Sequence, residues 1–257
     1  MVTLRDVNSR LDELITLRLF SQSYQEIAAA RMRRTRTSVL TSRQFLLGLQ
    51  RVFAHLKASY RQRVEQLLRR RKGALARLLG SEKTAHVFLS ANTGFYGDII
   101  AKTYRVFRQG LQTELGQAVV VGRRGWIIYR HGKGRAFAYF DFPDDTIDPS
   151  LFEKLALHLS HFDRIFVYYG KFENIIVQEP SVLSISGDEL LKEGAKETRK
   201  APEVSYIFEP SIEKLMAFFK KEIFTSLFEQ TILESQLAKS ASRMISLDSA
   251  LDNLERE

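Results

Sequence analysis

Four short stretches of this chain carry side chains of the kind that bind ligands or run reactions. Gly94-Phe95-Tyr96-Gly97 stands between a strand-like run and a helix-like one, where amides at a helix N-terminus can hold a phosphate. It lacks the full dinucleotide fingerprint and reads as a structural turn. His131-Gly132-Lys133-Gly134-Arg135 has neither the spacing nor the Ser/Thr of a P-loop and reads as a basic surface loop. His158, His161 and Asp163 are close enough to suggest a metal site, but without a clear third ligand they read as a solvated or partly buried helix face. Arg69-Arg70-Arg71-Lys72, with Arg61, Arg63 and Arg77 nearby, could grip a phosphate backbone. That run has no interleaved aromatic platform, so a solvated face, or one that meets an acidic protein, is expected instead of nucleic-acid binding. There is no Gly-x-Ser-x-Gly elbow and no carboxylate pair that stands out from ordinary surface acids. The absence of cysteine excludes a disulfide framework, a thiolate metal site and a cysteine nucleophile. The expectation is a protein with no catalytic residues, no cofactor and no metal.

The elements that carry these stretches divide the chain into three by hydrophobic period. At 257 residues and 44% apolar content there is material for one large domain or two smaller ones. The net charge of +9 points to acidic partners: nucleic acid, anionic lipid or acidic protein surfaces. No apolar run approaches the ~20 residues that span a bilayer, and MVTLRDVNSRLDEL has no signal core. The chain is expected to be soluble or peripheral, with no direct membrane insertion. From Leu4 the apolar positions run Leu4, Val7, Leu11, Leu14, Leu17, Phe20, Tyr24 and Ile27. Those are the steps of a narrow coiled-coil seam with one slip after Leu14. Residues 1–78 therefore read as the N-terminal coiled-coil helix and a following helix. Residues 205–257 mirror them: no glycine or proline follows Pro210, and Met244, Leu247, Leu251 and Leu254 repeat the seam. The two ends would most simply pair antiparallel, with Ala28, Ala29 and Ala30 on one side and Ser240, Ala241 and Ser242 on the other permitting close approach. Residues 79–204 alternate strands (AHVFLS, AVVV, WIIYR, RIFVYY, NIIVQEPSVLSI) with helices (IIAKTYRVFRQGLQ, SLFEKLALHLSHF), before the polar loop SGDELLKEGAKETRKAPE. The expected fold class is a central Rossmann-like α/β domain plus a long antiparallel coiled coil of the terminal helices.

One segment of the first helix, EIAAARMRR from Glu26 to Arg34, narrows to three alanines and then turns strongly basic. Small residues let another backbone come close and arginines suit an acidic partner, so a helix gripped by other chains is expected. Six stretches, in order across nearly the whole chain, resemble the gamma subunit of F-type rotary ATP synthases. Residues 4–35 resemble that family's opening, LRDIKNRI followed by MVAAAKLRR. VFLSANTGFYGD resembles its strand and Ser-Asp-Arg-Gly-Leu-x-Gly-Gly turn with one residue inserted, and VVVGRRGWIIYR its Gly-Lys-Lys-Gly strand pair. VYYGKFENIIVQEP resembles its Tyr-Asn-Lys-Phe segment ending in Gln-x-Pro. YIFEPSIEKL resembles its Tyr-x-x-Glu-Pro motif, and SASRMISLDSALDN its Ala-Ala-Arg-Met signature.

The resemblance implies a shaft of two antiparallel helices inside a ring of three alpha and three beta subunits, coupling ion flow through a membrane rotor ring to ATP chemistry on beta. It implies that Ala28, Ala29, Ala30, Arg31, Arg33, Arg34, Arg243 and Met244 serve the coil and the acidic beta levers. Tyr206, Glu209 and Pro210 would lie at the foot, near the epsilon subunit and the c-ring. The complex would stand on the cytoplasmic face of the inner membrane, and this subunit would carry no catalytic residues. Three departures accompany it. Leu19, Gln22 and Gln25 replace lysines of the family, and Ser90-Ala91-Asn92 replaces its charged Ser-Asp-Arg. The family's last helix also runs about thirty residues past Glu257, roughly 45 Å at ~1.5 Å per residue, so a shortened axle is expected, with the first turns of the N-terminal helix lacking a partner. The alternative is a gamma-like scaffold on another hexameric ATPase or an acidic partner.

Overall fold

The computed structural model describes residues 4–59, 83–132, 136–186 and 212–256. The chain opens with helix α1 (Leu4–Ser59). Then come β1 (Thr84–Leu89), α2 (Ile99–Thr113), β2 (Gln117–Val121), α3 (Arg123–His131) and β3 (Phe137–Phe140). Helix α4 (Pro149–Leu159), the hairpin β4 (Arg164–Phe172) and β5 (Gln178–Ser186), and helix α5 (Ile212–Leu254) complete it.

The two long helices run antiparallel. Arg18 meets Glu255 at 3.1 Å, Gln25 donates to Asp248 at 2.9 Å, Arg43 lies 3.6 Å from Glu234, and the Phe53 and Phe219 rings are 5.6 Å apart. Each step up α1 is thus a step down α5. The buried positions of α1 are Ser21, Ala28, Thr35, Val39, Leu46, Phe53, Ala54 and Leu56. From Ser21 to Phe53 they recur in sevens with an inserted four, the period that keeps one helix face on its neighbour. This corrects the seam expected from the sequence: Leu17, Phe20 and Ile27 are 52%, 52% and 44% exposed, whereas Ala28 is 1% exposed. A one-residue shift turns a helix by roughly 100°, so Leu17, Phe20 and Ile27 face outward and Ser21 and Ala28 face α5, while Leu14 and Tyr24 of the expected seam are half-buried. Leu4, Val7 and Leu11 are exposed as well. Ser240–Ser242 also depart from expectation. With Gln25 opposite Asp248, they come level with the arginines after the alanines, and the Ser242 hydroxyl donates to the carbonyl of Tyr96 at 2.7 Å.

Strand order is β3-β2-β1-β4-β5, parallel except for the antiparallel hairpin β4–β5. Alternation along the strands sends Ala85, Val87, Leu89, Val119, Val121, Ile165 and Val167 to one face with α4 and α5. His86, Phe88, Ala118, Val120 and Tyr168 go to the other, against Phe107 of α2 and Tyr129 of α3. The chain winds outward from β1 through β2 to β3, then returns to place β4 on the other side of β1. Right-handed crossovers therefore put α2 and α3 on one face and α4 on the opposite one. WIIYR, expected as a strand, is part of helix α3. A parallel β2–β3 pair needs a crossover between its strands, and Gly125 and Tyr129, one helical turn apart, are the buried positions. Gly122 opens that helix at φ 97°, a conformation glycine adopts without strain. The third strand is FAYF, which the sequence reading did not mark. Strand β5 begins at Gln178, because Asn174–Val177 forms the hairpin turn, with the Asn174 side chain accepting from the amides of Ile176 and Val177.

His86, 1% exposed, fixes the outer core. The Glu114 carbonyl, 3.1 Å from Nε2, can only accept, so Nε2 carries the proton and Nδ1 accepts from the Tyr168 hydroxyl at 2.9 Å. Burial lowers the His86 pKa below its ordinary 6.5, outweighing the raising effect of Glu114.

Two outcomes follow from this packing. Ala28→Leu should destabilise the protein by about 1–3 kcal/mol through overpacking, while Ile27→Ala should stay within about 0.5 kcal/mol, as measured by urea denaturation. Because His86 stays neutral in the fold while the unfolded chain protonates near pH ~6.5, stability should fall as pH drops below that value. His86→Gln should flatten this part of the stability–pH profile.

Candidate functional site at the shaft–domain junction

Helix α5 passes across the carboxyl ends of the parallel strands, beside the point where strand order reverses between β1 and β4. In open α/β sheets that crevice is the usual ligand site. Here the helix itself fills it. Lys239, which is buried, donates from Nζ to the carbonyl of Ser90 at the end of β1 at 3.0 Å and lies 3.5 Å from the Asp144 carboxylate. Asp144 also accepts from the amides of Asn92 (2.8 Å) and Thr93 (2.9 Å), the Thr93 hydroxyl (2.8 Å) and the Tyr96 hydroxyl (2.9 Å). One turn along α5, Arg243 Nη2 donates to Thr93 Oγ1 at 2.6 Å and to the Gly94 carbonyl at 2.9 Å, with its guanidinium 4.1 Å from the centre of the Tyr96 ring. A Cβ on Gly97, at φ +54°, would sit 2.9 Å from Ser246 Oγ and 3.0 Å from Ser242 Oγ. The turn after β1 is therefore pressed against the serine side chains of α5.

The electrostatics follow from burial and partners. For Asp144 burial is the largest single effect and would raise its pKa. Lys239 and the donors of Asn92 and Thr93 together outweigh it and hold the carboxyl below its ordinary range. Burial pushes the Lys239 ammonium down, against the opposing pull of Asp144, and it pushes the Tyr96 phenol up, with Asp144 adding to the effect, so Tyr96 remains a donor. The two ends of the ion pair thus record opposite balances. The carboxylate is well served by five donors, whereas the lysine retains a net desolvation cost, as buried pairs commonly do. Such a junction fixes geometry more than it adds stability.

Two further contacts reach both long helices. Asp145 meets Arg31 of α1 at 2.9 Å, and Glu234 of α5 accepts from Tyr169 of β4 at 3.1 Å while facing Arg43 of α1.

The structure gives the sequence-derived candidates different places. Ala28 is buried against α5, Ala29 is half-buried and Ala30 exposed; Arg33 and Arg34 are exposed, and Met244 is half-buried. Arg31 is engaged by Asp145, and Arg243 is turned into the junction. The Gly94–Gly97 turn lines an open recess of about 270 Å³ with Arg124 and Ser246, but the amides just before it already hold a carboxylate. His158 packs between Phe140 and Phe162, His161 turns back to the His158 carbonyl, and Asp163 accepts from the Lys83 amide. Among the described residues no cluster suited to a metal ion is formed. Tyr206, Glu209, Pro210, the basic run around Arg69–Lys72 and Lys133–Arg135 lie outside the described residues. Asp144, Lys239 and Thr93 are the junction residues that sequence reasoning missed. A lysine inside the small and apolar run LAKSASR of α5 was the available signal.

This architecture is that of a shaft protein: a long antiparallel helix pair gripped along one side by a small α/β unit whose ligand crevice is closed by the shaft. The chain belongs to the ATP synthase gamma family; the family model described as ATP synthase matches residues 3–256. The ATP synthase gamma chain of Pelotomaculum thermopropionicum is 24% identical, over 98% of this chain and 88% of that one. The gamma chain of Chloroherpeton thalassium is 27% identical over the same shares. In fold the chain resembles the central stalk of the Tetrahymena thermophila mitochondrial ATP synthase, with a TM-score of 0.61, 16% identity and coverage of 90% of this chain and 99% of that one.

Asp144→Asn would leave Lys239 buried without its counter-charge and should cost about 3–5 kcal/mol, whereas Asp145→Asn, at a half-exposed pair, should cost no more than about 1 kcal/mol. The Asp144 contribution is complete above the unfolded carboxyl pKa of ~3.9 and is lost as pH falls through the lower folded value. Denaturation of both variants between neutral and acid pH would test this, and Asp144→Asn should lack that loss.

Proposed function

We propose that this chain is the central-stalk gamma subunit of a rotary ATP synthase, the turning shaft that couples ion flow through a membrane rotor ring to ATP synthesis or hydrolysis on beta subunits. The observation that carries this reading is the family match over residues 3–256 on a chain whose ends form one antiparallel helix pair. In this reading the pair is a left-handed coiled coil, consistent with the seven-residue recurrence of its buried positions. The subunit itself carries no catalytic group, and ATP chemistry belongs to its partners.

Three alpha and three beta subunits would surround the upper shaft, with Arg33 and Arg34 directed at acidic beta levers. The outward Leu4, Val7 and Leu11, each more than half exposed, would meet the apolar lining of that ring. Epsilon and the c-ring would engage the foot, with Tyr206, Glu209 and Pro210 among the contacts. No helix among the described residues is long and apolar enough to cross a membrane. The membrane association we propose therefore runs through the rotor ring, on the cytoplasmic face, with protons or sodium as the coupling ion.

A tagged copy recovered from native membranes should bring down alpha and beta chains in threefold excess together with rotor-ring protein, as quantified by mass spectrometry. Recovery with a different ring ATPase, or without beta, would replace the stalk reading with that of a gamma-like scaffold.

A further inference from the structure

We infer that the adjacent carboxylates of Asp144 and Asp145 are a two-pronged clamp that sets the angular position of the α/β unit on the helix pair, with Lys239 and Arg243 as positioning residues for rotary coupling. The inference rests on the central-stalk reading above. Asp144 holds α5 through Lys239, and Asp145 holds α1 through Arg31, so two consecutive residues of one connecting segment reach both helices of the shaft.

Torque between a shaft and a body attached to its side needs contacts that resist sliding. The apolar face between the sheet and α5, built from Phe228, Ile232 and the strand residues, resists separation but is non-directional. The directional contacts are concentrated elsewhere. Glu234 takes the Tyr169 hydroxyl, and Gln236 donates to the Thr146 carbonyl at 3.3 Å. Lys239 takes Ser90 and Asp144, Ser242 takes Tyr96, and Arg243 takes Thr93 and Gly94. These five residues fall within ten residues of α5, under about three turns and roughly 15 Å at ~1.5 Å per residue. Lys239 and Ser242 are buried, so their bonds are screened much less than surface ones. Asp144 is central to the set. It orients Thr93, which in turn receives Arg243, and it orients Tyr96, whose carbonyl receives Ser242 and whose ring lies under the guanidinium.

The test uses the complete complex in membrane vesicles. Membrane-potential formation and ATP hydrolysis are measured on the same preparation, and their ratio is compared at equal amounts of assembled complex. The variants are Lys239→Met with Arg243→Met, which keep the apolar stems but cut the crossing bonds, and Phe228→Leu, which loosens the apolar contact alone. Each lost crossing bond should make the slipped arrangement on the order of tenfold more populated, read as a clear fall in potential per ATP for the double variant and none for Phe228→Leu. Arg243→Lys, which keeps the charge, should recover part of the ratio. An unchanged ratio in the double variant, or an equal fall in Phe228→Leu, would overturn the inference. If the double variant does not assemble, Lys239→Met alone decides by the same ratio, since it leaves Asp144 its four donors from the turn. Failure of the unmodified chain to co-purify with beta would instead count against the stalk reading, before any coupling is measured.

Discussion

The burial of one lysine on the face of α5 governs much of the architecture. Lys239 is buried, and an unpaired ammonium in that position is not tolerable at neutral pH. It therefore requires a carbonyl at the end of β1 and a carboxylate in the segment after β3, and it holds both in place. From Asp144 the requirement spreads to the amides of Asn92 and Thr93 and to the Tyr96 hydroxyl, which fixes the turn after β1, and from there to Arg243 and Ser242. A buried polar network specifies one arrangement because every member must be satisfied together. Apolar packing alone would let α5 settle at neighbouring registers along the strand ends.

The same network explains why a Rossmann-like sheet here has no chemistry of its own to perform. At the strand-order reversal, two consecutive amides, two hydroxyls and a lysine converge on an anion. In a nucleotide-binding sheet such a set would receive a phosphate. In this chain the anion is the Asp144 side chain, and α5 lies where the rest of a ligand would lie. The anion-binding tendency of the strand ends has become an attachment for the shaft. The turn singled out in the sequence as a weak phosphate candidate is thus next to a true anion site, but an internal one.

Helix content, the α/β centre and the antiparallel pairing were legible in the sequence because each rests on periodicity or on residues close in the chain. The upper seam was misread by one position, since Phe20 and Ile27 look like the buried residues when only hydrophobicity is weighed. The close approach of α5 favours Ser21 and Ala28 instead, a choice that depends on the partner helix. WIIYR was misread because a run of aromatic and branched residues resembles a strand, and only the parallel β2–β3 pairing requires a helix there. Asp144 and Lys239 were not legible as partners, being far apart in the chain and each ordinary in its own neighbourhood.

Helix α5 also shows why its own sequence pattern is less clean than that of an ordinary surface helix. It faces α1 on one side and the strand ends on another, so from Ile223 to Leu247 few of its positions are free to be solvated. A helix buried on two sides by purely apolar residues would be held in place by shape alone. Thr231, Glu234, Gln236, Lys239, Ser240, Ser242, Arg243 and Ser246 break that surface at positions that each find a named partner or bond back to the preceding turn. Glu234, Gln236, Lys239, Ser242 and Arg243, which blur the apolar period, are the ones that register the helix against the α/β unit. In a protein whose two parts must turn together, registration is the property that a smooth apolar interface could not supply.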